Sequence, residues 1–437
     1  MTSTQVGLIA TVYLAGEMVG ALVFGKMSDR LGRKRLFILT LLLYLIGTGL
    51  AAFGTGHHTG WLVFFYLTRF VAGMGIGGQY SAINSAIDEV MPSKYRGRVD
   101  IWINGSYWAG AILGSFVSYI FLNHFAPNVG WRLAFLLGPV LAIFVIIVGR
   151  VLPESPRWLV THGRQAEADQ VMAKIEEQVR ASGQELAPID ESKAIEIVPE
   201  TRYGYLTFLR LVFHRYTKRA ILGTTLMITQ SFLYNAIFFT YALVLINFYH
   251  VPSNKVPVYG LAFSIGNLCG PLILGPLFDS WGRKQMIAGT YIVSAVLLGL
   301  SAVLFDAKVL TATTQTLMWV IIFFASAGAS AAYLTVSETW PIEIRAEAIA
   351  VFFAIGSIAG ALGPVFYGAL IGNGSSRTGL FVGYLIGAGI MLTGGLVEAF
   401  IGVQAAGKSL EQVTKPLTST DQATPTATVT SIVSETA

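Results

Sequence analysis

The sequence predicts an all-α integral membrane protein built from two pseudo-repeated helical bundles. Only 12% of its residues are charged and 54% are apolar, with a mean hydropathy of +0.63, whereas a soluble protein carries about 25% charged residues. The apolar residues gather in runs near the ~20 residues that a helix needs to cross the hydrocarbon core. Two loop motifs also recur at nearly the same offset, which indicates a duplicated bundle.

Eleven apolar runs are expected to form the membrane spans. They cover residues 6–24, 36–54, 61–87, 101–122, 131–152, 219–248, 257–278, 285–305, 315–337, 347–371 and 379–403. A transmembrane barrel is excluded, because its strands would show ~10-residue alternating segments instead of continuous apolar runs. The 47 glycines suit helices that approach each other closely in a membrane.

The loop "GKMSDRLGRKR", residues 25–35, places five cations between two apolar runs. If this loop faces the cytoplasm, alternate loops do so too, and that side receives 24 of the Lys and Arg residues against four on the other side. Because Lys and Arg concentrate in cytoplasmic loops, we expect a plasma (inner) membrane protein with a cytoplasmic C-terminus. The basic net charge therefore reports topology and does not indicate nucleic-acid binding.

Both loop motifs of the first half recur in the second half. Gly-x3-Asp-x2-Gly-Arg-Lys in 25–34 returns in 275–284 at an offset of 250 residues. Glu-x2-Pro-x3-Arg in 89–96 returns in 338–345 at an offset of 249. Two matches in corresponding topological places predict internal duplication.

The duplication also bears on the start of the chain. In the second half the first motif follows two apolar runs, 219–248 and 257–278, but in the first half it follows only one. The pattern resembles a six-plus-six protein without its first helix. We therefore expect the natural reading frame to extend upstream of Met1, or the chain to be a truncated product.

Four segments are expected along the chain. Residues 1–152 would form an N-terminal bundle of five spans, and a polar, helical cytoplasmic linker would follow at 153–218. Residues 219–403 would form a C-terminal six-span bundle, and the Ser- and Thr-rich tail 404–437 would be disordered.

Several motifs resemble the major facilitator superfamily, in its sugar-porter and metabolite:proton symporter branch. The loop at 25–35 is similar to that superfamily's signature after the second helix. "RFVAGMGIGG" (Arg69–Gly78), "PESPRWL" (Pro153–Leu159) and "SETWPIEIRAE" (Ser337–Glu347) resemble its signatures in helix four, after helix six and between helices ten and eleven. The resemblance covers nearly the whole chain.

The resemblance implies secondary active transport by alternating access, without covalent chemistry, and a monomer whose partners are the bilayer, a small solute and protons. "QSFLYN" keeps Gln230 and Asn235 of the sugar-porter stretch, but Leu233 stands where that branch has glycine. A small organic acid is therefore as good an expectation as a sugar. The alternative from another class is a transport-incompetent truncated product or a transporter-derived membrane sensor.

The paired loop motifs suit a cytoplasmic gate, because orientation alone requires cations but no carboxylates. The predicted gate residues are Asp29, Arg33, Glu89, Arg96, Asp279, Arg283, Glu338 and Arg345. Acid–base pairs among them could latch and unlatch the loops.

Two ionisable residues inside spans are candidates for proton coupling. Arg69 lies about eight residues, or ~12 Å, into its span, where an arginine costs at least ~2.5 kcal/mol unless it is paired or wetted. In the symporters that the motifs resemble, the matching arginine pairs with a carboxylate on the first helix. Glu17 could carry the proton, or it could be a protonated packing residue between Gly16 and Gly20.

Polar and aromatic residues at helical spacing predict a binding site for a polar ligand. The candidates are Gln230, Tyr234, Asn235, Tyr241, Gln79, Tyr80, Asn104, Tyr107 and Trp108. On an ideal helix Asn235 points about 140° away from Gln230, so the resemblance supports its inclusion. Packing or interfacial anchoring is the alternative for the rings.

Enzyme chemistry is not expected, since the sequence offers no nucleophile–base pair. No His/Cys spacing suggests a metal site. The glycines of "GMGIGG" lie inside an apolar run with no strand before them, so a dinucleotide fingerprint is excluded as well. We expect no cofactor.

Overall fold

The computed structural model of the chain describes residues 3–54, 59–90, 95–151, 153–183, 205–325, 327–341, 344–408 and 410–414. Inside these ranges some side chains are not described, among them those of residues 28–30, 81–90 and 96. The described residues form helices and turns with no strand. The predicted all-α class is therefore confirmed.

Among the described residues, the N-terminal half contains six helices and the linker contains three. The N-terminal half contains α1 (Ser3–Leu31), α2 (Arg33–Ala51), α3 (Thr59–Val90), α4 (Arg96–Gly105), α5 (Tyr107–His124) and α6 (Pro127–Val151). The linker contains α7 (Pro156–Thr161), α8 (Gln165–Ala181) and α9 (Tyr205–Arg215).

Seven helices make up the C-terminal half, and one short helix follows them. They are α10 (Thr217–Tyr249), α11 (Val256–Ser280), α12 (Arg283–Asp306), α13 (Ala312–Ala325), α14 (Gly328–Glu338), α15 (Arg345–Ile371), α16 (Thr378–Ile401) and α17 (Leu410–Val413).

Nine described segments are long and apolar enough to cross a membrane. They are Gln5–Met27, Arg33–Ala51, Gly60–Tyr80, Gly97–His124, Thr217–Tyr249, Val256–Ser280, Arg283–Asp306, Glu347–Ile371 and Thr378–Ile401. The two remaining predicted runs contain shorter apolar helices, Asn128–Phe144 and Ala312–Ala325. The second is short because the run 315–337 is divided between α13 and α14. The chain is an integral membrane protein.

Consecutive spans alternate in direction, so the loop at 25–35 and its repeat at 275–285 open on one side of the membrane. We call this side the basic face and the other side the opposite face. The two halves meet where α1 packs along α15 and where α4 and α5 pack along α11. The space between these two seams is the position of the candidate site.

The segment after α16 differs from the predicted tail. Leu410 is only 1% exposed, and the guanidinium group of Arg219 on α10 donates to the carbonyl of Val413 at 3.0 Å and to the hydroxyl of Thr414. This anchor holds the chain against the bundle up to residue 414, because a buried arginine requires acceptors. Residues 415–437 lie outside the described part of the chain.

Candidate functional site

Four glycines bring α1 and α3 into backbone contact and thereby position the site. A Cβ atom on Gly16 or Gly20 would collide with a backbone carbonyl of α3, and one on Gly73 or Gly77 would collide with a carbonyl of α1. Small residues four apart on both helices permit this approach in a membrane. The crossing presents Glu17, next to Gly16, to the space between the two halves.

A cavity of about 820 Å³, partly open to solvent, lies between the halves. The N-terminal half contributes Glu17, Ile76, Tyr80, Asn104, Tyr107 and Trp108 to its lining. The C-terminal half contributes Met227, Gln230, Ser231, Tyr234, Asn235, Phe238, Tyr333, Phe353 and Ser357.

The polar side chains of the lining are held by hydrogen bonds within the protein. The amide of Gln230 donates to the hydroxyl of Tyr333 at 3.2 Å. The amide of Asn235 donates to the carbonyl and hydroxyl of Ser231, at 2.8 and 3.2 Å. Asn104 donates to a backbone carbonyl one turn earlier. These bonds fix the amide orientations, so the cavity has a preformed polar surface.

Two groups of rings connect the halves across the cavity. Tyr80 of α3 stacks on Tyr333 of α14 and on Phe353 of α15, with centroid distances of 5.2 and 4.7 Å. Trp108 of α5 lies 6.0 Å from Tyr234 and 5.3 Å from Phe238, both on α10. Offset-stacked and edge-to-face pairs at these distances are favourable. The rings therefore contribute to the contact between the halves.

Glu17 is linked to the interior of the N-terminal half through Tyr13. The phenol of Tyr13, one helical turn before Glu17, lies close to the Glu17 carboxyl group. The guanidinium of Arg69 lies 5.9 Å from the Tyr13 ring and 4.9 Å from the Phe135 ring, within cation–π range. Glu17, Tyr13 and Arg69 thus form a connected series that starts at the cavity.

At the basic face, Arg283 is the centre of a buried charge cluster. It is 2% exposed, and its guanidinium lies 2.6 Å from Asp279 and 3.2 Å from Glu338. Asp279 also accepts a 3.0 Å hydrogen bond from the backbone N–H of Arg98, which belongs to the other half. Arg345 donates to the carbonyl of Trp340 at 3.0 Å. The cluster therefore joins the two halves at this face.

Each half also has a polar cap on the helix that follows its first loop motif. Glu154 accepts hydrogen bonds from the backbone N–H groups of Arg33 and Lys34, at 2.8 and 3.2 Å. The side-chain oxygen of Gln404 accepts a hydrogen bond from the backbone N–H of Lys284 at 3.3 Å. The two caps are related by the same 250-residue offset as the loop motifs. At each, the glycine before the helix has a positive φ, 88° at Gly32 and 108° at Gly282, a conformation that glycine adopts readily.

At the opposite face, other contacts connect the halves. The side-chain amides of Asn123 and Asn254 are 3.2 Å apart, at the ends of α5 and α11. The hydroxyl of Thr11 on α1 donates to the carbonyl of Ala361 on α15 at 2.7 Å. Contacts between the halves are therefore present on both membrane sides of the cavity.

The sequence profile of the sugar (and other) transporter family matches residues 1–416. The chain belongs to this family. The niacin transporter NiaP of Acinetobacter baylyi is 26% identical over 419 residues, which cover 94% of this chain and 88% of NiaP. The putative metabolite transport protein YdjK of Escherichia coli is 30% identical over 420 residues, which cover 92% and 84% of the two chains.

A solved structure of the major facilitator superfamily has the same fold. The proton:xylose symporter XylE, bound to 6-bromo-6-deoxy-D-glucose, matches with a TM-score of 0.72 at 19% identity, covering 94% of this chain and 88% of XylE. The resemblance stated from the motifs is thus confirmed at the level of family and fold. NiaP, YdjK and XylE are all described as transport proteins and not as enzymes.

Within this sugar (and other) transporter fold, most residues predicted to bind the ligand lie on the cavity. The lining includes Gln230, Tyr234, Asn235, Tyr80, Asn104, Tyr107 and Trp108. Asn235 reaches it because the lining covers a broad arc of α10, which also contains Ser231 and Phe238.

Two other residues predicted to bind the ligand stay predictions. Gln79 and Tyr241 lie outside the lining. Tyr241 is on the same side of α10 but beyond Phe238 along the axis, where its ring stacks on Phe263 at 6.0 Å. Angular position on a helix does not give the depth of a cavity, so periodicity alone does not place Tyr241 along the axis. Gln79 precedes Tyr80, and neighbours in a helix point about 100° apart.

The predicted coupling and gate residues divide into three groups. Glu17 lines the cavity, whereas Arg69 does not. The Arg69 guanidinium lies against the Phe135 ring instead. Asp279, Arg283, Glu338 and Arg345 lie together at the basic face, and Arg33 is bound there through its backbone. The side chains of Asp29, Glu89 and Arg96 fall outside the described residues.

Three features of the site were not predicted. Tyr333, Phe353 and Phe238 line the cavity from apolar runs in which nothing distinguishes them from packing residues. Glu398 is a second carboxyl group inside a span, fully buried, with no hydrogen-bond partner among the described residues. The caps Glu154 and Gln404 could have been found by applying the 250-residue offset to the ends of the sixth and last spans.

Proposed function

We propose that this member of the sugar (and other) transporter family is a secondary active transporter that carries a small polar metabolite by alternating access, driven by protons. The observation that carries the proposal is a cavity lined by both halves and flanked by inter-half contacts at both faces. Breaking one set of contacts would open the cavity to one side, while the other set keeps the second side closed.

The charge distribution assigns the basic face to the cytoplasm, since Lys and Arg concentrate in cytoplasmic loops. In this orientation the hydrogen bond from Arg98 to Asp279 closes the cytoplasmic side. Arg283 holds the Asp279 carboxylate at 2.6 Å, which keeps it aimed at the other half. The gate is then a neutralised carboxylate that binds a backbone N–H across the seam.

Proton coupling is assigned to Glu17. It is the carboxyl group in the described lining, so its protonation state changes the charge of the cavity itself. Tyr13 connects it with Arg69, whose positive charge stabilises the anionic form of the series after the proton leaves. Arg69 therefore acts through Tyr13 and does not touch the solute.

The names of the relatives supply first solutes for a transport assay. NiaP is a niacin transporter and XylE is a proton:xylose symporter, so niacin and D-xylose are suitable first solutes. Purified protein reconstituted into liposomes should accumulate a transported solute when the lumen is alkaline relative to the medium, and a protonophore should abolish the accumulation. Binding without passage of any solute into the lumen would contradict transport and indicate a membrane sensor.

Glu17→Gln should abolish accumulation driven by the pH gradient and spare exchange of solute across the membrane, because an amide cannot release a proton. Glu177→Gln is the matched control, since Glu177 is exposed on linker helix α8, and it should leave both activities unchanged. Retained proton-driven accumulation in Glu17→Gln would remove Glu17 from the coupling mechanism.

A further inference from the structure

The cavity lining is unusually rich in aromatic rings. Seven of its fifteen residues are aromatic, whereas aromatic residues make up 12% of the chain. Ring faces stack favourably on other flat π surfaces. The composition therefore favours a ligand that presents a π face.

The rings are placed where a flat ligand would meet them from both halves. Tyr80 is stacked nearly parallel to Tyr333, with an interplanar angle of 14°, and close to parallel with Phe353, at 26°. Trp108 and Tyr234 are inclined to each other by 44° at 6.0 Å. One group forms a parallel stack that a further ring can extend, and the other forms a tilted wall beside it.

Three of the six polar non-aromatic side chains in the described lining lie on one helix of the cavity. Gln230, Ser231 and Asn235 all belong to α10, and both amides already donate to protein groups. A pyranose presents hydroxyls around its whole edge and would leave several of them unpaired against rings, which is costly in a desolvated site. One polar strip suits a ring with polar substituents on one edge.

The charge of the lining restricts the ligand further. Glu17 is the acidic residue of the described lining, and that lining contains no Lys, Arg or His. A carboxylate ligand would meet Glu17 without a neutralising cation. A cation would replace the proton on Glu17, which gives exchange instead of symport. An uncharged ligand is compatible with Glu17 in both protonation states.

We infer that the solute carried by this cavity is an uncharged compound with a planar aromatic ring and a hydrogen-bonding substituent on one edge. That this compound is transported rests on the proposed function, whereas its binding is a property of the cavity alone. The ring stacks with Tyr80, Tyr333 and Phe353, and the substituent binds the polar strip of α10.

The test measures binding to the purified full chain in detergent, by calorimetric titration and thermal stabilisation, with five simple probes. Benzamide has the proposed chemistry, benzoate and benzylamine change its charge, cyclohexanecarboxamide removes the π face, and D-xylose represents a sugar. Benzamide should bind most tightly, and cyclohexanecarboxamide should bind about tenfold more weakly, as expected for the loss of one stacked ring. Equal or tighter binding of any other probe, or no binding of benzamide in the millimolar range, overturns the inference.

Two variants connect the preference with the proposed rings. Tyr80→Leu and Phe353→Leu should reduce the benzamide-to-cyclohexanecarboxamide preference towards one, while Phe366→Leu, on the same helix as Phe353 but outside the lining, should retain it. The ratio is measured within one preparation, so partial loss of folded protein does not affect it. A preference that survives in both ring variants overturns the assignment of these rings.

The outcomes separate this inference from the proposed function. Benzamide binding without proton-driven uptake of benzamide would support the cavity chemistry and contradict transport. Proton-driven uptake of D-xylose or niacin without benzamide binding would support transport and overturn the ligand class.

Discussion

Replacing Asp279 by alanine should shift the protein away from the state that is closed at the basic face. The Asp279 carboxylate accepts a 3.0 Å hydrogen bond from the backbone N–H of Arg98 in the other half. Its ion pair with Arg283 lies within the C-terminal half, four residues along the chain, so that pair persists whichever face is open. Of the hydrogen bonds described for Asp279, the one to Arg98 crosses between the halves and therefore differs between the two states.

The size of the shift follows from that single bond. A hydrogen bond to a charged group contributes about 1.5–3 kcal/mol, and about 1.4 kcal/mol corresponds to a factor of ten in an equilibrium constant. The open-to-closed ratio at the basic face should therefore rise by roughly 10- to 100-fold in Asp279→Ala.

Distances between spin labels give the two populations directly. Exposed Arg35 on α2 and Trp281, which is 67% exposed between α11 and α12, offer label sites on opposite halves after Cys269→Ser. Ser280→Ala is the control, because that hydroxyl binds only the Pro276 carbonyl of its own helix among the recorded bonds. An unchanged distance distribution in Asp279→Ala would refute the role of this bond.

Three further changes test other parts of the structure. Gly77→Ala should sharply lower the midpoint of thermal unfolding, because the added Cβ meets the backbone carbonyl of Glu17. Gly110→Ala is the control and should leave the midpoint unchanged, because the space around its Cβ is open. Equal midpoints for the two variants would contradict the close crossing of α1 and α3. Glu398→Leu should raise the midpoint, since it removes a buried carboxyl group that has no hydrogen-bond partner among the described residues, which costs about 1–3 kcal/mol. A lower midpoint would show that the attraction between Glu398 and Lys284 outweighs this cost. In the linker, the Arg164 side chain lowers the pKa of Glu167 below its usual 4.5, so this contact stabilises α8 above that pH and is lost as the pH falls further. Protease cleavage within α8 should therefore increase only in acid. Cleavage that does not depend on pH would exclude the contact.

Sequence periodicity predicted the helices well because the membrane imposes their length. The apolar runs matched the long helices closely, and they failed only where a local break divided a span, as between α13 and α14. The 250-residue repeat predicted that Asp279 and Arg283 would act together, since equivalent loops of a duplicated bundle occupy equivalent places. It did not predict the Arg98 N–H as a partner, because a backbone group leaves no trace in a motif.

The cavity was predicted less completely, for a physical reason. Tyr333 and Phe353 line it from runs whose rings look like packing residues, and only the three-dimensional crossing of the halves separates the two roles. The sequence also could not predict that Arg69 lies away from the lining. Helix periodicity gives the direction of a side chain around its own helix, but it does not identify the neighbouring helix. Phe135, which lies under Arg69 at 4.9 Å, comes from a different span.

The two polar caps make the halves respond differently to salt. Glu154 holds the start of α2 with a charge, and that interaction with the positive end of a helix weakens as ionic strength rises. Gln404 holds the start of α12 with an uncharged amide, and ions in solution leave such a dipolar contact almost unaffected. The cap at the start of α2 is therefore the one that added salt weakens, and the start of α12 should respond less to the ionic composition at the basic face.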